Sequence, residues 1–206
     1  MTSFIDSDEY GMIGNLISSG IEVHTIKYPR NQKSITGKLS SGILNVRPMI
    51  QHLKGEEPFF FAKYKSKKMA GLISKLIEKT DFDMVQVEYN VMHHYTEQIG
   101  NIPKLIVFHD VSTKGYERGK DQGNPRNQKL FEMAIKLEPE IANKFDAVIT
   151  LTEEDKEYLS NLGCESEIKV IPPQINMPNL GKQEKSPQSL CFVGSFNREP
   201  NVQAVQ

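Results

Sequence analysis

The 206-residue chain has no tryptophan and only two cysteines, Cys164 and Cys191, which are far apart and form no Cys-x-x-Cys pair. So few thiols exclude a disulfide scaffold and a cysteine-built metal centre, and they suit a reducing compartment. An excess of basic charge is also missing, with 25 Lys and Arg set against 26 Asp and Glu. A nucleic-acid partner shows as a basic surplus, so none is expected. No apolar run approaches the ~20 residues of a membrane span. The opening "MTSFIDSDEYGM" lacks the basic start and apolar core of a secretory signal. A cytoplasmic, soluble protein is the expectation. Neither GxGxxG nor GxxxxGK[ST] occurs, which argues against an NAD dehydrogenase and a P-loop NTPase.

What is present is an alternation of short apolar runs with helical patterns. "DSDEYGMIGNLISSG" reads as a helix stopped by Gly20, and "IEVHTIKY" as a strand. Residues 38–53 suggest a helix bent or broken near Pro48. "EEPFFFAKYKSKKMAGLISKLIEKT" reads as one stronger helix, with Met69, Leu72, Ile73, Leu76 and Ile77 spaced by three and four. Then come "MVQVEY" (strand), residues 91–99 (helix), "KLIVFH" (strand) and a Gly/Asn/Lys-rich loop over 109–125. "RNQKLFEMAIKLEPEIANKF" (helix), "DAVITL" (strand), "TEEDKEYLSNLG" (helix) and "IKVIPP" (strand) follow. Strands alternating with helices indicate parallel βαβ units in a Rossmann-like, doubly wound α/β sheet. Residues 173–188 are polar and aperiodic and read as a linker, after which "SLCFVG" opens a fresh strand.

In open parallel sheets ligands bind beyond the carboxyl ends of the strands. The residues to inspect are therefore Glu88 to Asn90, His109 to Ser112, Thr150 to Glu153 and Gly194 to Asn197. His109 leaves an apolar strand, and its imidazole can hydrogen-bond a sugar hydroxyl or a phosphate oxygen. Polar residues at strand ends are common, however, and by residue chemistry alone a turn at His109–Asp110 is the commoner meaning. Thr152 with Asp155 resembles a helix cap, and the acidic first turn that follows would repel an anion. Thr152 can still line the cleft. Glu88, at the end of a strand buried on both faces, needs a partner or water. His93 and His94 are adjacent, so on a helix they would diverge; an exposed pair with no joint metal site is expected. "FFFAKYKSKK" is the candidate for peripheral contact with an anionic membrane, although buried aromatics beside solvated lysines are the more frequent meaning. "FVGSFNREPN" has the shape of a phosphate-cradling turn, with Gly194, a cation at Arg198 and Pro200 suited to a first helical turn.

Taken in order, "FDMVQVEYNVMHHY", "KLIVFHDVSTKGYERG", "KFDAVITLTEEDKEYLSNLG", "IKVIPPQIN" and "LCFVGSFNREPNVQAV" resemble the GT-B glycosyltransferases, specifically the retaining family 4. The resemblance implies transfer of a sugar from a nucleotide-sugar donor to a glycan, lipid-linked or small-molecule acceptor, with retention and with no metal or other cofactor. It implies that His109 contacts the donor sugar as the catalytic histidine. The strand-end rule puts Glu88, Asn90, Asp110 and Thr152 on the substrate side, with Glu88 equally suited to holding a neighbouring loop; the resemblance places Gly194 and Ser195, with Arg198 as the nearby cation, at the donor diphosphate. It further implies an acceptor-side domain over residues 1–172 whose first strand precedes residue 1, a linker at 173–188, and the start of a nucleotide-sugar-binding domain at 189–206. On that reading the 206-residue piece has little or no activity by itself. A GT-B sugar-nucleotide 2-epimerase and a non-catalytic α/β module binding a glycan or protein are the alternatives.

Overall fold

The computed structural model describes residues 1–5, 10–27, 35–174, 191–196, 201–202 and 204–205. Packing divides the chain into two units, Met1–Pro173 and Gln174–Gln206.

The first unit opens with a parallel pair, β1 (Thr2–Ile5) and β2 (His24–Lys27), linked through helix α1 (Tyr10–Ser18). Helix α2 (Ile35–Leu53) follows, then the single turn α3 (Phe59–Ala62) and helix α4 (Lys67–Lys79). The main sheet is four-stranded, parallel and ordered as in the chain: β3 (Val85–Glu88), β4 (Lys104–Phe108), β5 (Ala147–Thr150) and β6 (Glu167–Val170). Between β3 and β4 lie a 3₁₀ helix, Asn90–Tyr95, and the turn α5 (Thr96–Ile99). Helices α6 (Ser112–Asp121) and α7 (Pro125–Ala142) connect β4 to β5, and α8 (Glu153–Asn161) connects β5 to β6. The α/β class with parallel strands and a Rossmann-like arrangement is as the alternating pattern predicts.

β4 and β5 supply fully buried side chains, Ile106, Phe108 and Val148, because helices cover both faces of a parallel sheet. They meet Ile141 from α7, Leu159 from α8 and Phe61 from α3 in the main core. A second cluster joins Phe4 of β1 to Met69 of α4 and Tyr95. Among the described residues no helix is long and apolar enough to cross a membrane.

Five local expectations fail, each for a physical reason. A strand stands at Thr2–Ile5, where the sequence reading placed none. Its pattern is too short to register alone and becomes a strand only by pairing with β2. Helix α2 is not broken at Pro48 but continues through it, since proline removes only its own N–H from the ladder. The "FFFAKYKSKKM" stretch is two helices rather than one. The break is held by Tyr95, whose hydroxyl accepts from Ser66 N at 3.1 Å and donates to the Tyr64 carbonyl. Ser66 then caps α4 by accepting from Met69 N at 3.3 Å. Cys191–Phe196 form no strand, since the ladder bonds of a strand come from a neighbour. The linker reading at 173–188 falls almost wholly outside the described residues.

The fifth failure bears on function. Residues 109–125, expected as a loop, contain the ten-residue helix α6. Its sequence, "STKGYERGKD", lacks an apolar stripe, so periodicity could not reveal it. Gly119, which suggested a loop, is there for close approach to α7: a Cβ at that position would lie 1.7 Å from Asn127 Nδ2. Lys120 Nζ sits 4.2 Å over the Phe131 ring across the same contact.

Candidate active site

The register of the sheet sets the site. Glu88, the last residue of β3, pairs with Val107 of β4, which puts His109 just past the carboxyl end of the neighbouring strand. There His109 Nε2 lies 2.8 Å from Glu88 Oε2. The His109 ring also stacks on Tyr89, with centroids 4.0 Å apart and planes 18° from parallel. Glu88 and Tyr89 are both exposed, and the His109 side chain keeps 33% of its surface. The imidazole is thus held in one orientation yet remains accessible. When Nε2–H donates to Glu88, Nδ1 is left as an acceptor for a ligand hydroxyl; protonation makes both nitrogens donors.

Tyr89 carries the one positive φ (70°) among the described non-glycine residues. A side chain in that region costs of order 1–3 kcal/mol and persists where surrounding contacts enforce it. Here it turns the chain from β3 into the 3₁₀ helix and presents the ring to His109.

Beneath this surface lies Glu138, in the C-terminal half of α7 and with 0% of its surface exposed. Its Oε1 accepts from Asn90 Nδ2 at 2.7 Å and Ser112 N at 2.9 Å. Its Oε2 accepts from Thr113 N at 2.9 Å and Thr113 Oγ1 at 2.6 Å. Burial raises the carboxyl above its ordinary range, and the donors from Thr113 and Ser112 pull it back toward ionisation. One buried carboxylate therefore caps α6 from outside and ties it to Asn90. The sequence carried a signal for this residue. In register with Ala134 and Ile141, Glu138 places an acid on the buried face of α7.

The other expected site residues fall in different places. Asp110 is exposed beside His109, and its carbonyl accepts from Asn90 Nδ2 at 3.5 Å. Asn90 is 5% exposed and engaged with Glu138, so its side chain serves the scaffold of the site. Thr152 is the N-cap of α8: its Oγ1 accepts from Asp155 N at 3.1 Å and donates to Asp155 Oδ2 at 2.8 Å. Replacing Thr152 with Ala is expected to lower stability by about 1 kcal/mol, read as a shift in the urea midpoint. Lys114, which the sequence reading did not single out, bridges Glu154 at 2.7 Å and Asp155 at 2.9 Å and fastens α6 to α8.

In the second unit, a Cβ on Gly194 would lie 2.8 Å from the Phe192 ring and 3.1 Å from Asn201 Nδ2. A side chain there would have to displace the Phe192 ring, and Asn201 closes the segment by donating to the Ser195 carbonyl at 2.9 Å. Residues 201–202 are helical, and Val205 N donates to Val202 O at 3.3 Å. Arg198 lies outside the described residues.

A cavity of about 800 Å³ adjoins the site. Glu88, Tyr89, Asn90 and Asp110 line it, and its remaining walls are mainly apolar, with Phe4 from β1 and Met69, Ile73 and Leu76 from α4.

His93 and His94 contradict the expectation of an exposed, diverging pair. Their side chains keep only 8% and 3% of their surface, and both Nε2 atoms converge on Glu57. Burial, the largest cause, lowers His93 to a pKa of about 3 and His94 to about 4. The reading failed because these residues lie on a 3₁₀ helix whose partner, Glu57, is 36 positions earlier. No local pattern reports that distance.

No curated protein and no solved structure matches the chain. A family model does, described as Glycosyltransferase Family 4 and matching residues 10–177, which include β3, β4, His109 and the whole of Glu138's network. The match covers most of the chain, and the parallel sheet with its polar cluster at the strand ends agrees with it: this chain belongs to glycosyltransferase family 4.

Proposed function

We propose that the protein carrying these residues transfers a sugar from a nucleotide-sugar donor to an acceptor hydroxyl with retention of configuration. The observation that carries this reading is the His109–Glu88 pair, 2.8 Å apart at the ends of adjacent parallel strands in a chain of this family. His109 contacts the donor sugar, and Glu88 sets its orientation. Asp110 lies on the substrate side, and Asn90 and the Thr152 cap hold the strand-end loops. Gly194, Ser195 and Arg198 take the diphosphate, whose departure is assisted electrostatically and without a metal at the reacting atoms. The test is a transfer assay with nucleotide-sugar donors, reading the product's anomeric configuration by NMR. Retention is expected; an inverted product, or isomerised donor with no transfer, refutes the reading.

The acceptor takes its place in the cavity beside Glu88. The apolar walls contributed by Phe4, Met69, Ile73 and Leu76 favour a lipid-linked acceptor over a free glycan. Phe60, 48% exposed and lining the same cavity, has Lys63 Nζ 4.5 Å over its ring. This pair suits contact with an anionic membrane from the cytoplasmic side. Phe60→Ser is expected to lower co-sedimentation with anionic vesicles about tenfold, and unchanged sedimentation removes the membrane role.

A further inference from the structure

Glu57, His93 and His94 form a compact cluster that the transfer reaction does not use. Glu57 lies at the end of the α2–α3 connection, and the histidines lie on the 3₁₀ helix leaving β3. The ligand atoms of all three residues fall within 4.8 Å of one another. Glu57 Oε1 is 3.0 Å from His93 Nε2 and 3.5 Å from His94 Nε2.

Those distances can be compared with the needs of a metal. With metal–nitrogen and metal–oxygen bonds of 2.0–2.2 Å, tetrahedral ligands stand about 3.3–3.5 Å apart. The two measured edges, 3.0 and 3.5 Å, lie within a few tenths of an ångström of that range, and the ligand atoms of the two imidazoles lie within 4.8 Å of each other. The two imidazole rings lie 4.0 Å apart at 41°, an arrangement that brings both Nε2 atoms to the same side. The donor set, two neutral imidazoles and a carboxylate, matches a borderline cation of the zinc type rather than magnesium or calcium, which prefer oxygen throughout.

We propose that Glu57, His93 and His94 bind one zinc-type divalent cation, which clamps the α2–α3 connection onto the segment carrying Tyr89 and Asn90. Before loading, His94 Nε2–H donates to the Phe61 carbonyl at 3.0 Å. Metal binding moves the proton on each imidazole from Nε2 to Nδ1, and Glu57 binds as the carboxylate. No redox change occurs. Three protein ligands leave the fourth position to water. The ion sits apart from the His109 pair, in a buried cluster, and its role is to fix the turn at Tyr89.

The test uses the metal-stripped chain titrated with zinc chloride, with bound metal measured after equilibrium dialysis. One equivalent is expected, with Kd at or below about 1 µM. The thermal midpoint rises as free zinc exceeds Kd. His93→Gln and His94→Gln are each expected to weaken binding at least ~100-fold, and His24→Gln and His109→Ala to leave it within about threefold. Far-UV circular dichroism checks that each variant is folded. Cobalt(II) on the unaltered chain gives an independent readout, the intense visible absorption of a tetrahedral centre. Uptake well below one equivalent, an octahedral cobalt spectrum, or zinc binding that survives in the folded His93→Gln and His94→Gln variants overturns the proposal.

Discussion

Replacing Glu138 with Ala is expected to lower the unfolding free energy by about 3–5 kcal/mol. The side chain is fully buried and accepts from four donors, Asn90 Nδ2, Ser112 N, Thr113 N and Thr113 Oγ1. Removal leaves a cavity and strands these donors, including two backbone N–H groups in the first turn of α6. Because α6 has no apolar stripe, polar contacts carry much of its anchoring; Lys114, the Tyr158–Glu117 hydrogen bond at 2.6 Å and the packing of Gly119 and Lys120 against α7 remain. Glu138→Gln is expected to cost less, about 2–3 kcal/mol, since it keeps one acceptor but turns an NH₂ group toward donors. Equilibrium urea unfolding followed by circular dichroism reads both values. A loss below about 1 kcal/mol for Glu138→Ala sinks the account of α6 as a helix held from outside.

Replacing His109 with Ala is expected to reduce kcat/KM for sugar transfer by about 10²–10³, equivalent to ~2.7–4 kcal/mol of transition-state stabilisation. Nucleotide affinity should stay within a few-fold, because the resemblance assigns the diphosphate to Gly194, Ser195 and Arg198. Glu88→Gln separates orientation from contact. The carboxamide can still accept from His109 Nε2, though without charge assistance, so a loss of about tenfold is expected. Steady-state kinetics on both variants check the ranking. Turnover unchanged in His109→Ala removes the histidine from the site, and a larger loss for Glu88→Gln than for His109→Ala reverses their roles.

The elements that could be read from residues alone were those with a period. The stripe of Met69, Leu72, Ile73, Leu76 and Ile77 marked α4, and the apolar runs of β4 and β5 marked strands that helices would cover. Helix α6 escaped because its stability resides in Glu138, 26 positions beyond Ser112, and in the Gly119–Asn127 approach. The break between α3 and α4 escaped for the same reason, since Tyr95 supplies the hydroxyl that satisfies the backbone there.

The candidate site divides along the same line. His109 and Glu88 were marked by position, as polar residues ending apolar runs, and the rule that parallel sheets bind at their carboxyl ends needs only that position. That they touch required the register of β3 on β4, which pairs Glu88 with Val107. Glu138 and the Glu57–His93–His94 cluster depend on groups 25–48 and 36–37 positions apart, respectively. By itself the sequence determined the periodic elements, the α/β class and the strand ends where chemistry collects, because hydrophobic burial writes itself locally at periods of two and 3.6. Tertiary structure alone decided which polar groups meet. A buried charge or imidazole is stable only where distant donors and acceptors converge on it, and that convergence leaves no local pattern in the chain.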